Sequence, residues 1–546
     1  MNPANASDFV RLKFMAIVLV AVALDPLGLG APPPAKHFCS GLMNDAALAA
    51  PPDSTITTAA IVSGTFAAPR GAAAIQGLPS FCRVTATLKP SPVSDIKIEV
   101  WLPVEGWNGK IEGVGNGGLA GTISYSALAA GIRRGYASVS TDTGHIASDV
   151  TWLPIEERER DYGYRAIHGM TVVAKAVVQE FYGSPARRSY FNGCSTGGGQ
   201  GLGEAQLYPE DYDAILAGAP SSLPTSLRAA VIWEFQAASN NPAGNLSEES
   251  LSLITETVLE QCGGKYGPTD GFLSDPRTCK FSPAKLLCKI GQDPATCLTA
   301  PQVSAVNKIY AGTFNSRTKE LLWPGLMPGS EEPGGPGTVG WQRAKINGPV
   351  PFGAGAQFYS YAVYENPNLD FHTMDMDHSV ELAEKKFPFI NHNGTDIEAF
   401  LKRGGKLLMY HGWADPLISP LNSINYYGSL VETVGRDRNL DRSAALEETQ
   451  QYVRLFMVPG MGHCAGGPGP DTFDGVGALD DWAASGAAPE KIIASHVTNG
   501  VTTFSRPLCP YPQEAAYKGA GDRKDAANWV CIAHPFTYDS SFYGGR

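Results

Sequence analysis

Charge is scarce in this chain. Asp, Glu, Lys and Arg make up 17% of its 546 residues, below the usual quarter. The 42 basic residues form no cluster and are outnumbered by 53 acidic ones, for a net charge of -11. Binding to nucleic acid or an anionic surface needs concentrated positive charge, so both are excluded. The chain also lacks an internal repeat and a sustained heptad pattern, which excludes solenoids and coiled coils. Beyond the N-terminus it has no apolar run approaching the twenty or so residues that span a bilayer, so no membrane span is expected.

What is present favours a folded, loop-rich protein. A hydrophobic fraction of 43% with 10% aromatics supplies a full core, and 61 Gly with 41 Pro supply many tight turns. The length suits either several average domains or one large α/β domain carrying an insertion. Ten cysteines, an even number, run from Cys39 to Cys531. They read as disulfides if the chain leaves the cytosol and as thiol or metal chemistry if it does not. The N-terminus favours export. Arg11 and Lys13 precede the apolar run Phe14 to Leu24, and small residues and Ala31-Pro-Pro-Pro-Ala35 follow. That order reads as a secretory signal over residues 1–31 rather than a core helix, and implies a secreted or periplasmic protein with oxidised cysteines.

Ile96, Ile98, Val100 and Leu102 alternate as a strand with one buried face would. A second strand is expected through Lys110 and Ile111, running into the glycine-dense loop Gly113-Val-Gly-Asn-Gly-Gly118. From Ile167 to Phe181 the apolar spacing is helical, with Gly183 at the C-terminal cap position. Strand Tyr190-Phe191, a glycine turn, another helix and strand Ala214 to Ala217 follow, which is the rhythm of parallel βαβ units. From about Ser222 to His392 the sequence becomes irregular and rich in Pro and Gly, before two further strands at Lys406 to Tyr410 and Val453 to Val458. The expected organisation is a parallel-sheet domain formed by residues 32–221 and 393–546, with residues 222–392 inserted.

Gly193-Cys-Ser-Thr-Gly197 fits G-x-S-x-G and lies between a strand and a helix, where a tight turn lifts a serine hydroxyl above a sheet. Such a serine needs a histidine to take its proton and a carboxylate to orient that histidine. In the α/β-hydrolase fold these follow in the order Ser, Asp or Glu, His. Asp415, in His411-Gly-Trp-Ala-Asp415, and His463, in Pro459-Gly-Met-Gly-His463, stand at strand ends in that order. Ser195, Asp415 and His463 are therefore the expected catalytic triad. Among rival histidines, His411 shares a loop with Asp415 and is expected to be supporting, and His145 precedes the serine and breaks the order. Cys194 and Cys464 adjoin the proposed nucleophile and base. Contact between Ser195 and His463 would bring the two cysteines to disulfide distance. An oxyanion hole is expected from the Thr196 N–H and from the 113–118 loop, with Val114 and Gly115 as its donors. A dinucleotide-loop reading of Gly113-Val-Gly115 fails because no helix opens at Gly118 and no acidic ribose partner is evident.

Gly-Cys-Ser-Thr-Gly-Gly at 193–198, Gly-Trp-Ala-Asp-Pro at 412–416, Val-Pro-Gly-Met-Gly-His-Cys at 458–464 and Arg506-Pro-Leu-Cys-Pro-Tyr-Pro512 resemble the tannase and feruloyl esterase family over nearly the whole mature chain. The resemblance implies an α/β-hydrolase core whose insertion, 222–392, is a lid. It implies hydrolysis of hydroxycinnamic, gallic or terephthalic esters without a catalytic cofactor. A feruloyl esterase acting on small phenolic or plant cell-wall esters is the leading expectation. Tannase, a terephthalate monoesterase and a non-catalytic phenolic-binding protein are the alternatives. The disulfides implied are Cys39–Cys82, Cys194–Cys464, Cys262–Cys279, Cys288–Cys297 and Cys509–Cys531. The family's lid calcium would use aspartates where this chain has Gly263, Tyr266 and Asp270. Asp270 is the one carboxylate left at a matching position, Asp275 is only nearby, and calcium is expected to be weak or lost. No arginine occurs between Arg343 and Arg403 to grip a terephthalate carboxylate, whereas Phe358-Tyr-Ser-Tyr-Ala-Val-Tyr364 offers aromatic faces either for a phenolic ring or for lid packing.

Overall fold

Residues 38–43, 51–69, 73–147, 149–263, 270–333, 340–341 and 350–542 are described by a computed structural model. The expected signal segment, 1–31, lies outside them. Nine strands form one sheet: β1 (Ser54–Phe66), β2 (Ile75–Leu88), β3 (Ile96–Pro103), β4 (Lys110–Val114), β5 (Ala137–Thr141), β6 (Arg188–Cys194), β7 (Ala214–Gly218), β8 (Lys406–Gly412) and β9 (Val453–Val458). Their spatial order is β1-β2-β3-β5-β4-β6-β7-β8-β9. The pairs from β1 to β5 are antiparallel and those from β5 to β9 are parallel. This is the α/β-hydrolase architecture expected from the sequence. The parallel strands β6, β8 and β9 all deliver their C-terminal ends to one edge of the sheet, where a site built from strand-end loops must lie.

Helices cover both faces, so the parallel strands are apolar throughout. All five residues of β7 are buried, and six of seven in β8. β3 departs from the expected alternation, because all its residues except Lys97 are buried. On the face read as solvent-exposed, Glu99 accepts from Arg83 and Tyr125, beside a buried Trp101. The helix expected after Ile167 is Ala166–Tyr182, closed by Gly183 at φ 68°, a left-handed cap that glycine adopts without a Cβ clash.

Between β7 and β8 the chain is more regular than its sequence suggests. It contains helices Pro224–Ser239, Glu248–Cys262, Ala300–Ala311 and Met376–Lys386, and a hairpin of Gly312–Phe314 with Leu321–Pro324. The first of these helices escapes a periodicity reading because it is buried on most of its circumference, so apolar residues do not confine themselves to a stripe. Ala229, Ile232 and Phe235 from this helix share an apolar cluster with Trp152, Leu153 and Tyr162 of the sheet domain and with Phe358, Tyr359 and Val363 of the aromatic tract. The insertion is therefore packed onto the sheet domain by a hydrophobic interface. No helix among the described residues is long and apolar enough to cross a membrane.

Candidate active site

The turn after β6 places Ser195 at φ 63°, a conformation costly for a non-glycine residue, directly before the helix Thr196–Leu207. The flanking glycines are required by space. A Cβ on Gly193 would lie 2.5 Å from the Gly197 carbonyl, and one on Gly197 would lie 2.9 Å from the Asn116 carbonyl. The backbone closes around the turn, with the Ser195 N–H donating to Gly218 at 3.0 Å and its carbonyl accepting from Ser221 at 2.9 Å.

The structure brings together the three residues expected to act as a triad. His463 Nε2 is 2.9 Å from Ser195 Oγ, and His463 Nδ1 is 2.8 Å from Asp415 Oδ2. Because the carboxylate can only accept, Nδ1 carries the proton and Nε2 is free to accept one from the serine. Asp415 is fully buried, and its other oxygen accepts the N–H groups of Leu417 and Ile418 at 2.8 and 3.0 Å. Burial alone would raise its pKa. The charge of His463 and hydrogen bonds from His411 and His463 outweigh that effect and hold the carboxyl far below its ordinary range. Asp415 therefore remains an anion and can stabilise an imidazolium.

His411 is the supporting histidine. Its Nε2 lies 3.1 Å from Asp415 Oδ2 and 3.0 Å from the Ile418 carbonyl, two acceptors that require an N–H there. Its Nδ1 is 2.7 Å from Ser423 Oγ. His411 thus donates to the same carboxylate oxygen, Oδ2, that accepts from His463. His145 makes no hydrogen bond to the serine. It stacks on Trp152 with centroids 3.9 Å apart and holds the Leu119 carbonyl at 2.6 Å, while burial lowers its pKa to about 4.

At the glycine-rich loop the N–H groups of Val114 and Gly115, expected as oxyanion donors, are engaged within the sheet. Gly115 donates its N–H to the Asn192 carbonyl at 2.9 Å, as part of the sheet. Val114 stands inside β4 opposite Asn192, and since neighbouring N–H groups of a strand point to opposite sides, its own faces β5. Asn116 donates to Gln200 Oε1 at 3.0 Å. These three groups are spent on structure. Gly118 lines the cavity beside Ser195 and Thr196, and its N–H has no acceptor among the described residues. Thr196, as first residue of its helix, has no intrahelical acceptor either, and the helix dipole adds positive potential at the same point. The Gly118 carbonyl is pinned by Thr196 Oγ1 at 2.6 Å and Tyr162 Oη at 3.2 Å.

Five disulfides connect the pairs that the family resemblance implies. Cys194–Cys464, with Cα atoms 6.0 Å apart and a sequence separation of 270, ties the Ser195 turn to the His463 loop. The implied calcium site is less well matched. Gly263 offers no side chain and Tyr266 lies outside the described residues. The Asp270 carboxylate faces Arg506 and Arg523, each at 3.3 Å. Asp275 is held by Arg277 at 2.6 Å. Calcium collects six to eight oxygens and is repelled by guanidinium, so these residues do not fit it. Among the described residues no cluster of three His, Cys, Asp or Glu is placed to hold a metal.

The cavity above Ser195 is walled mainly by Leu227, Val231, Phe352, Leu417 and Ile418, with Arg228 as its one permanently charged residue among the described residues. The aromatic tract does not line it. Phe358 and Tyr359 are fully buried in the insertion, and Tyr359 Oη donates to the Thr225 carbonyl at 3.0 Å. Sequence reading passed over Arg228, although a lone arginine in Leu227-Arg-Ala-Ala-Val-Ile232, an otherwise apolar run, was a usable signal.

Comparison with known proteins agrees with this geometry. The family model described as tannase and feruloyl esterase matches residues 82–532. An uncharacterised esterase of Xanthomonas campestris is 37% identical, with 89% of this chain and 90% of the relative covered. A probable feruloyl esterase B-1 of Aspergillus flavus is 34% identical over 83% and 86%. Among solved structures, feruloyl esterase B from Aspergillus oryzae has a TM-score of 0.82 at 29% identity, covering 90% of this chain and 99% of the other. Tannin acyl hydrolase from Aspergillus niger has a TM-score of 0.73 at 18% identity, covering 94% and 96%, a likeness of fold.

Proposed function

Since the chain belongs to the tannase and feruloyl esterase family and is a carboxylic ester hydrolase, we propose that it is an exported serine esterase cleaving esters of hydroxycinnamic acids. The observation that carries the chemistry is the continuous hydrogen-bonded relay from Ser195 Oγ through His463 to Asp415. Ser195 attacks the ester carbonyl as His463 takes its proton. The oxyanion that forms is held by the N–H groups of Thr196 and Gly118. His463 then protonates the departing alcohol, and water, activated by the same histidine, releases the acid from Ser195. Asp415 stays ionised throughout and steadies the imidazolium.

Two considerations support a hydroxycinnamic over a galloyl ester. Relatives above 30% identity include probable feruloyl esterases, whereas the tannin acyl hydrolase shares the fold at 18%. The cavity wall is dominated by aliphatic side chains, which suit an extended, mostly apolar acyl group better than a trihydroxylated ring. Hydrolysis of methyl ferulate, methyl gallate and a terephthalate monoester, compared by kcat/KM, is expected to favour methyl ferulate. Preference for methyl gallate would reassign the enzyme as a tannase. The leading segment 1–31 and ten paired cysteines support export.

The loop that the family anchors with calcium is, in this reading, anchored by Asp270 between Arg506 and Arg523 together with Cys262–Cys279. Addition of a chelator is expected to leave the melting temperature and kcat unchanged. Asp270→Ala leaves a largely buried Arg506 without its partner and should lower the melting temperature by several degrees. A large chelator-induced drop would show that a metal holds this loop after all.

A further inference from the structure

Arg228 is a buried cation in the wall of the Ser195 cavity whose hydrogen bonds are incomplete. It is 6% exposed, and its Nη2 donates to Tyr162 Oη at 2.7 Å. Its guanidinium lies 4.4 Å from the centre of the Phe358 ring, which supports it from the insertion. Its Nη1 has no hydrogen-bond partner among the described residues. Burying a guanidinium donor without an acceptor is costly, and such groups are found where a ligand completes them. The nearby acid does not complete it. Glu159 is fully buried with both oxygens unpartnered, and burial raises its pKa to about 8, against the opposing pull of Arg228's charge, so it is mostly neutral at pH 7.

Position decides what Arg228 can meet. It lines the same cavity as Ser195, Thr196 and His463, and through Tyr162 it is linked to the Gly118 carbonyl on the oxyanion side. Leu417 and Ile418 flank the other side, tied by their N–H groups to Asp415 and so next to His463, which must hand its proton to the leaving alcohol. A proton handed over by His463 near Leu417 and Ile418 is compatible with an alcohol leaving past them and an acyl group reaching toward Arg228. Leu227 and Val231, one residue before and three after on the same helix, line that cavity with Arg228.

Resting on the ester-hydrolase reading, we propose that Arg228 determines acyl specificity: its free Nη1–H donates to an oxygen acceptor carried on the acyl ring, remote from the ester. A ring hydroxyl and a ring carboxylate share this chemistry, and substrates can distinguish them. The carboxylate-gripping arginine sought between Arg343 and Arg403 has a counterpart here, from the first helix of the insertion.

The test uses the full-length enzyme and three esters differing only at the para position: methyl cinnamate, methyl 4-hydroxycinnamate and methyl 4-carboxycinnamate. The readout is selectivity, the kcat/KM of each oxygen-bearing ester divided by that of methyl cinnamate. In Arg228→Met this ratio is expected to fall by about 10- to 100-fold for at least one of them, the range for a hydrogen bond to a charged group. The ester with the larger fall identifies a phenolic or an anionic acceptor. Arg228→Lys keeps the charge, which guards against misfolding. It cannot serve Tyr162 and substrate with one planar fork, so its selectivity should also fall. An unchanged ratio in both variants, even with lower overall rates, would overturn the proposal and leave Arg228 as a support for Tyr162 and Gly118. Hydrolysis of p-nitrophenyl acetate by the wild type monitors esterase chemistry separately, so failure of specificity and failure of the enzyme reading are distinguishable.

Discussion

Replacing Ser195 with Ala is expected to lower kcat by about 10⁴- to 10⁶-fold, with the fold and melting temperature nearly unchanged. The size of the effect follows from the way the relay works. Removing the nucleophile leaves the Thr196 and Gly118 donors and the cavity in place, so substrate still binds, but no acyl bond to the protein can form. Asp415→Asn should cost about 10⁴-fold by a different route. The amide presents an N–H group where His463 Nδ1 now donates, so the ring is held in the wrong tautomer. His411, which also donates to Oδ2 of Asp415 at 3.1 Å, would face the same amide N–H and keep only the Ile418 carbonyl as its acceptor. Loss of phenylmethylsulfonyl fluoride labelling in Ser195→Ala, alongside unchanged circular dichroism, checks the assignment. Full turnover by this variant would remove the enzymatic role from the site.

The second large effect concerns the Cys194–Cys464 bond. Its loop of 270 residues places it at the upper end of the chain-entropy scale, where a disulfide stabilises by up to about 5 kcal/mol relative to an unlinked unfolded chain. The other four bridges already restrict the unfolded chain, so the measured loss should be smaller, yet large enough to lower the melting temperature by many degrees. Its catalytic consequence is more specific. Ser195 and Cys464 both adopt positive φ, at 63° and 66°, so the two loops that face each other across the Ser195–His463 hydrogen bond are held in strained turns. A displacement of about 1 Å between reacting groups costs on the order of 100-fold in rate. The double variant Cys194→Ala with Cys464→Ala is therefore expected to fold, to lose about 10- to 100-fold in kcat and to bind substrate almost normally. Kinetics equal to wild type would show that sheet packing alone sets the register of nucleophile and base.

The parts of the site that could be read in advance are those in which sequence neighbours carry spatial information. Gly193 and Gly197 flank Ser195 because the turn leaves no room for a Cβ at either place, so a steric requirement appears directly as residue type. Asp415 and His463 follow strands β8 and β9, and the order of strands along the chain fixes the order of their end loops. Cys194 and Cys464 adjoin the two reacting residues, so contact between the latter brings the former within reach. The helix from Ala166 to Tyr182 was equally legible, because one face meets the sheet and the spacing of apolar residues records it.

Only the tertiary structure decided the rest. Gly115 and Gly118 lie in one glycine-rich loop, and nothing in their identity says which N–H is consumed by the Asn192 carbonyl and which faces the cavity; strand pairing decides that. The tract Phe358 to Tyr364 could serve substrate or packing with equal chemical plausibility, and the burial of Phe358 and Tyr359 in the insertion settled it for packing. Arg228 gains its meaning from Tyr162, 66 residues before it, and from Phe358, far beyond it in sequence, which together hold one nitrogen occupied and leave the other bare. The sequence by itself pointed to the chemistry proposed for this protein, because the residues proposed as nucleophile, base and acid are marked by steric and covalent constraints local to the chain. The structure decided what the site can recognise, because recognition depends on which hydrogen-bonding groups long-range packing leaves unsatisfied.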